Sequence, residues 1–170
     1  MKIGRTIFVL LFVGIVMTIS CDKEDEVNKT DKELYEMAIA TEGFVWYNNS
    51  EALLGRSSGS GHTAPFLRTR YNSVAATQLN EDGKILDNAI FPEESLVVKE
   101  LYSDESALYQ YAILLKNTSS EYADKDGWVW GYVDSSGKVL ESATKKGVSC
   151  ISCHTQNGSI DHMLMNRFFP

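Results

Sequence analysis

Prolines, cysteines, histidines and tryptophans number only three each in this 170-residue chain. With 44% hydrophobic and 11% aromatic residues, so little proline excludes a disordered or proline-rich chain and predicts a globular one. Basic residues are outnumbered 16 to 23 and form no cluster, which argues against nucleic acid as a partner, because phosphate binding needs grouped Lys and Arg. After Met17 no long apolar run occurs, which excludes a polytopic membrane protein. What remains is one domain, large enough to bury most of its unfolded surface.

The first twenty residues carry Lys2 and Arg5, no acidic residue, and an 11-residue apolar stretch from Ile7 to Met17. That is the length of a signal core and too short to span a bilayer. Removal of this segment with its two positive charges leaves 150 residues, at −9 rather than −7. Thr18-Ile19-Ser20-Cys21 follows directly and resembles a bacterial lipoprotein processing site, with Cys21 as the lipidated residue; leucine is commoner where Thr18 stands. Several acyl chains on one residue would anchor it stably. The alternative is ordinary signal cleavage. Residues 21–31 read as an acidic tether, and Lys23-Glu24-Asp25-Glu26 resembles a surface-export signal. The expected location is outside the cytoplasm, lipid-anchored to the outer membrane on its periplasmic side or at the cell surface.

The other two cysteines stand in Cys150-Ile151-Ser152-Cys153-His154, the C-x-x-C-H pattern of covalent haem attachment. Two thiols on one helical turn can each add to a haem vinyl group, and the adjacent imidazole of His154 then lies under the iron. The predicted cofactor is one haem c. Attachment takes place outside the cytoplasmic membrane, in agreement with the export signal. A redox C-x-x-C is an alternative, although no βαβ pattern precedes it. A zinc site would need Cys150, Cys153, His162 and a fourth ligand.

The expected fold class is α+β, an antiparallel sheet with flanking helices and a C-terminal helix carrying the haem motif, within a domain spanning 32–170. Residues 31–41 repeat apolar positions at helical spacing. Strands are predicted at 66–72, 95–102, 108–116 and 128–134, with a helical turn at 73–79 and a hairpin turn at 135–138 before Val139-Leu140. Arg56–Gly61 reads as a flexible loop with His62 exposed beside it. Met163 and Met165 are within reach of the iron's far side, but they would have to round the edge of the macrocycle with little chain left to hold them there, and they read as proximal packing. Neither remaining histidine is marked as a distal ligand. A five-coordinate iron, open to a small molecule, is the expectation.

From about residue 62 onward four pieces follow in order: Ala64-Pro65-Phe66 leading to Arg70, Phe91-Pro92 through Val97-Val98-Lys99-Glu100-Leu101, Trp128-Val129-Trp130-Gly131-Tyr132, and the haem motif followed by Asp161 and Asn166-Arg167-Phe168-Phe169-Pro170. In these pieces the sequence resembles the cytochrome P-460 family. It implies a mostly β haem protein, often a homodimer. One branch oxidises hydroxylamine; the other, cytochrome c′-beta, binds nitric oxide and carbon monoxide. Lys99 falls where the first branch has a lysine bonded to the haem, and Arg70 matches a pocket arginine able to contact a ligand or propionate. Lys99 shares a strand face with Val97 and Leu101, but Leu96 and Val98 make the other face equally apolar. An edge-strand lysine and a solvated arginine are the plainer readings of these two.

The catalytic branch also places a carboxylate over the distal face, where this chain has Ala112. Without that base, a pocket walled by Phe66, Tyr109, Tyr111 and Ile113 would favour apolar diatomics. Three functions remain open. They are redox chemistry on hydroxylamine or nitric oxide, non-catalytic binding of nitric oxide or carbon monoxide, and electron carriage with a partner protein.

Overall fold

The computed structural model describes residues 28–170, so the signal segment, Cys21 and most of the predicted tether lie outside the described residues. Among those described, no helix is long and apolar enough to cross a membrane. The elements in chain order are α1 Lys29–Ile39, β1 Val45–Trp46, β2 Leu54–Gly55, β3 Phe66–Tyr71, α2 Ser73–Ala76, β4 Leu96–Tyr102, β5 Leu108–Lys116, β6 Trp128–Asp134, β7 Val139–Glu141, α3 Ile151–His154 and α4 Met165–Phe168. The seven strands form one sheet, with order β1-β3-β4-β5-β6-β7 and β2 also pairing with β3. All pairings are antiparallel. The class is α+β.

The main strands lie where β-branched and aromatic residues concentrate. β5 and β6 coincide with their predicted limits, and β3 and β4 differ by one residue at an end. Each central strand is apolar on both sides because both faces of the sheet are covered. On one face Leu34 and Ala38 of α1 pack against Leu96, Val98, Tyr111, Ile113, Val129 and Val133. Gly131 permits the close approach, since a Cβ there would meet Leu34 Cδ1 at 2.8 Å. On the other face Leu67, Tyr71, Val97, Leu101, Leu114, Trp128 and Trp130 meet Met163 and Met165 of the C-terminal segment. The alternation that assigns an inner face to a half-exposed sheet therefore has nothing to register here.

Two expectations shift at the N-terminal end. The first helix starts at Lys29, capped by the Asn28 side chain accepting from Thr30 N. Asp31, assigned from sequence to a solvated tether, is buried and accepts from Ala143 N at 2.7 Å and Ser142 Oγ at 2.6 Å. The helix is thus fastened by its own first turn.

Arg70 is a further correction. It lies on the α1 face of the sheet, fully buried, and its Nε donates to Glu100 Oε1 at 3.0 Å. Its other nitrogens donate to the carbonyls of Ala38 and Ala40 at the end of α1, and Phe44 stacks on the guanidinium. Glu100 also accepts from Arg68 Nε and Tyr102 OH. A guanidinium satisfies helix-end carbonyls and a buried carboxylate together, which explains its burial. It sits away from the haem-motif face and cannot reach a ligand there. Arg70→Ala is expected to lower unfolding stability by about 3–5 kcal/mol, because it leaves a buried carboxylate short of a partner. Urea denaturation checks this, and the residues around Cys150 should keep their native spectra.

Candidate functional site

The segment after β7 builds the site with almost no regular structure. A left-handed Lys146 and Gly147 turn the chain, and a Cβ on Gly147 would lie 2.5 Å from the Trp130 ring. Cys150 N then bonds Gly147 O at 2.8 Å, opening the single turn α3 that carries Ile151–His154. The predicted C-terminal helix is therefore two separate turns, α3 with the cysteine motif and α4 after it.

Cys150 and Cys153 are free thiols bordering one cleft together with His154. Its apolar inner part lies against the sheet, lined by Val97, Ala112, Leu114, Trp130, Met163 and Met165, with a cavity volume of about 60 Å³. The outer part, open to solvent, has a volume of about 490 Å³; His62, Lys99, Tyr132, Glu141 and Cys150 line both parts, and Cys153 lines the outer one. An apolar floor with a few convergent polar groups is the usual character of a cofactor site.

His154 is held in one tautomer. Its Nδ1 lies 2.7 Å from the carbonyl of His162, so Nδ1 carries the proton and donates it there. Nε2 has no hydrogen-bond partner among the described residues, and its lone pair is free for a metal. Burial pushes the imidazole down to about 4, with Lys99 adding to the effect, so the ring is neutral at pH 7. Trp130 packs edge-on at 5.1 Å. The carbonyl that orients His154 belongs to a backbone held in the left-handed region at Asp161 (φ 41°) and His162 (φ 68°). Side chains enforce that turn. Asp161 accepts from Trp128 Nε1 at 3.0 Å and Phe91 N at 2.9 Å, while His162 Nε2 pairs with Asp126 at 3.0 Å. Asn166 bonds both backbone groups of Ile85 and accepts from Tyr47 OH.

Lys99 reaches the cleft, on the face it shares with Val97, and pairs across strands with Thr69 and Ala112. It forms no ion pair or hydrogen bond among the described residues, and burial pushes its ammonium down to about 8. Arg70 is not part of this site. The cleft wall departs from expectation in part. Ile113 lines it as expected, but Tyr111 packs in the α1 cluster and neither Phe66 nor Tyr109 is among the lining residues, so Leu114, Trp130 and Tyr132 complete the wall. No carboxylate of β5 lines the cleft; Glu141 of β7, paired across strands with Tyr132, lines it and is held below its usual range by the Ser149 hydroxyl.

His62, expected to be exposed, is half-buried in the cleft. It stacks on Tyr132 at 6.0 Å and meets the His154 ring at 6.3 Å. Its loop is packed rather than free, since a Cβ on Gly59 would lie 2.8 Å from the Phe168 ring and one on Gly61 would lie 3.7 Å from Cys153 Sγ. Only a glycine-serine composition was visible in the sequence, and composition does not reveal what a loop leans on.

These residues fit a covalently attached haem. Both thiols and the imidazole open on one cleft, and His154 presents an unprotonated nitrogen. The alternatives fit less well. Burial raises the Cys150 thiol, whereas a redox C-x-x-C needs it lowered. His162 pairs with Asp126, and the metal-type grouping Asp124, Asp126 and His162 includes neither thiol. Met165 Sδ is taken by the Thr69 hydroxyl at 3.3 Å, in keeping with packing.

Lys99 binds its proton less tightly folded than unfolded, so its burial costs stability at pH 7, and that cost fades as pH rises from about 8 towards 10.5. Lys99→Met is expected to stabilise the haem-free protein by about 1–3 kcal/mol at pH 7, with the gain vanishing near pH 10.5. Chemical denaturation across that range measures it. Asp161→Ala strands two buried donors and should cost about 2–4 kcal/mol, with hydrogen exchange accelerated first in residues 158–163. No family model and no curated protein sequence matches this chain, so the case for its activity rests on this cleft.

Proposed function

We propose that this protein is an exported c-type mono-haem redox protein, its haem joined to Cys150 and Cys153 with His154 as an axial ligand of the iron. One observation carries the proposal. The His154 imidazole is neutral, its Nδ1–H is fixed on the His162 carbonyl, and its Nε2 is free in a cleft flanked by two unpaired thiols. Carbonyl-fixed orientation is how proteins present a histidine to a metal. When bound, the haem supplies one-electron exchange at iron. The chain's own residues orient the imidazole, exclude water with Trp130, Leu114 and Val97, and surround the group with an apolar floor.

The proposal includes the resemblance to the cytochrome P-460 family, lipid anchoring at Cys21 on the periplasmic or outer surface of the outer membrane, and a homodimer. Export supports it because thiol attachment of haem takes place beyond the cytoplasmic membrane. A second reading is redox chemistry on hydroxylamine or nitric oxide. It is favoured by Lys99, an unpaired amine in the cleft at the position where the hydroxylamine-oxidising branch bonds its haem.

Production with a cytochrome c maturation system is expected to give a red protein whose intact mass includes one haem, resistant to acid extraction. Cys150→Ser with Cys153→Ser should lose that mass. Colourless wild-type protein would refute the proposal. Digestion of the peptide containing Lys99 reports any bond to that side chain.

A further inference from the structure

We infer that His62 is the second axial ligand, so that the iron is held between His62 and His154 and the protein works as an electron carrier. The inference rests on the haem reading above and deepens it. It replaces the open coordination position expected from sequence.

The argument is one of distance. A five-membered ring of ~1.33 Å bonds has a radius of about 1.1 Å. Imidazole nitrogen binds a transition metal at about 2.0–2.1 Å. Two radii and two such bonds therefore separate the centres of imidazoles on opposite sides of one metal by about 6.3 Å. The centres of His62 and His154 are 6.3 Å apart. Their planes are 82° apart, and two rings that share one axis can take any mutual rotation about it. Both rings border the same cleft as the thiols.

His62 is also free to bind. Neither of its ring nitrogens has a hydrogen-bond partner among the described residues. Its ring is nevertheless positioned, stacked on Tyr132 from one side, while its backbone N–H donates to Ser60 Oγ at 3.3 Å. Met165 Sδ is already taken, accepting from the Thr69 hydroxyl, and Lys99, the other unpartnered group in the cleft, is distinguished from His62 by the test that follows. With both axial positions taken by imidazole, an electron enters and leaves the iron without any bond to a substrate being made.

The test is spectroscopic, on the full haem-loaded protein. Ferric and ferrous wild type should both be low-spin and six-coordinate. His62→Ala should turn the ferric protein high-spin, and added imidazole should restore the low-spin spectrum. If His62 occupies the iron 99% of the time, carbon monoxide should bind ferrous His62→Ala about 100-fold more tightly than wild type. A high-spin wild type with attached haem, rapid to take up carbon monoxide, would overturn this inference while leaving haem attachment intact. A low-spin state that survives in His62→Ala but disappears in Lys99→Met would overturn it too, in favour of the amine. Protein with no attached haem would overturn both.

Discussion

The residues that carry the site belong to a segment that cannot support itself. Between β7 and the C-terminus there are two single α-helical turns and no strand, so backbone hydrogen bonding alone cannot fix where His154 points. Buried polar side chains do that work. The Asp161 carboxylate ties the segment to an indole on β6 and to the backbone at Phe91, and Asn166 ties it to Ile85. Because Asp161 and His162 sit in a conformation that L-residues seldom adopt, these bonds must outweigh local strain. The His162 carbonyl then meets Nδ1 of His154, and the orientation of Nε2 follows from that contact.

The sheet supplies the opposite wall. It is covered on both faces, by α1 on one side and by the C-terminal segment on the other, which divides the polar residues of β3 and β4 between two jobs. Arg70 and Glu100 point to α1 and hold the helix end; Thr69 and Lys99 point to the cleft. One residue of register separates these roles.

Much of the fold was legible in the sequence, because long apolar and aromatic strands separated by turn residues leave few alternatives. The cysteine motif was legible too, as spacing along a chain. What composition and spacing could not provide was sidedness. Lys99 stood between two apolar faces, and only the packed structure shows which one meets the cleft. Arg70 looked like a pocket residue because nothing in its neighbours announces a helix end folded over it. His62 was hidden for a related reason. A histidine next to Gly-Ser-Gly reads as surface, and its partner lies 92 positions later, in a segment whose path depends on tertiary contacts.

The start of the first helix bears on where such a protein could work. The described residues begin at Asn28, and Asp31 is locked into the body of the domain. If a lipid is attached at Cys21, six residues lie between it and Asn28, and the seven steps from one to the other, at 3.3–3.6 Å each, reach roughly 25 Å at full stretch. That is less than the width of a small domain. A leash so short would keep the molecule against its bilayer, so that it would meet neighbours in the same membrane more readily than anything diffusing far from it.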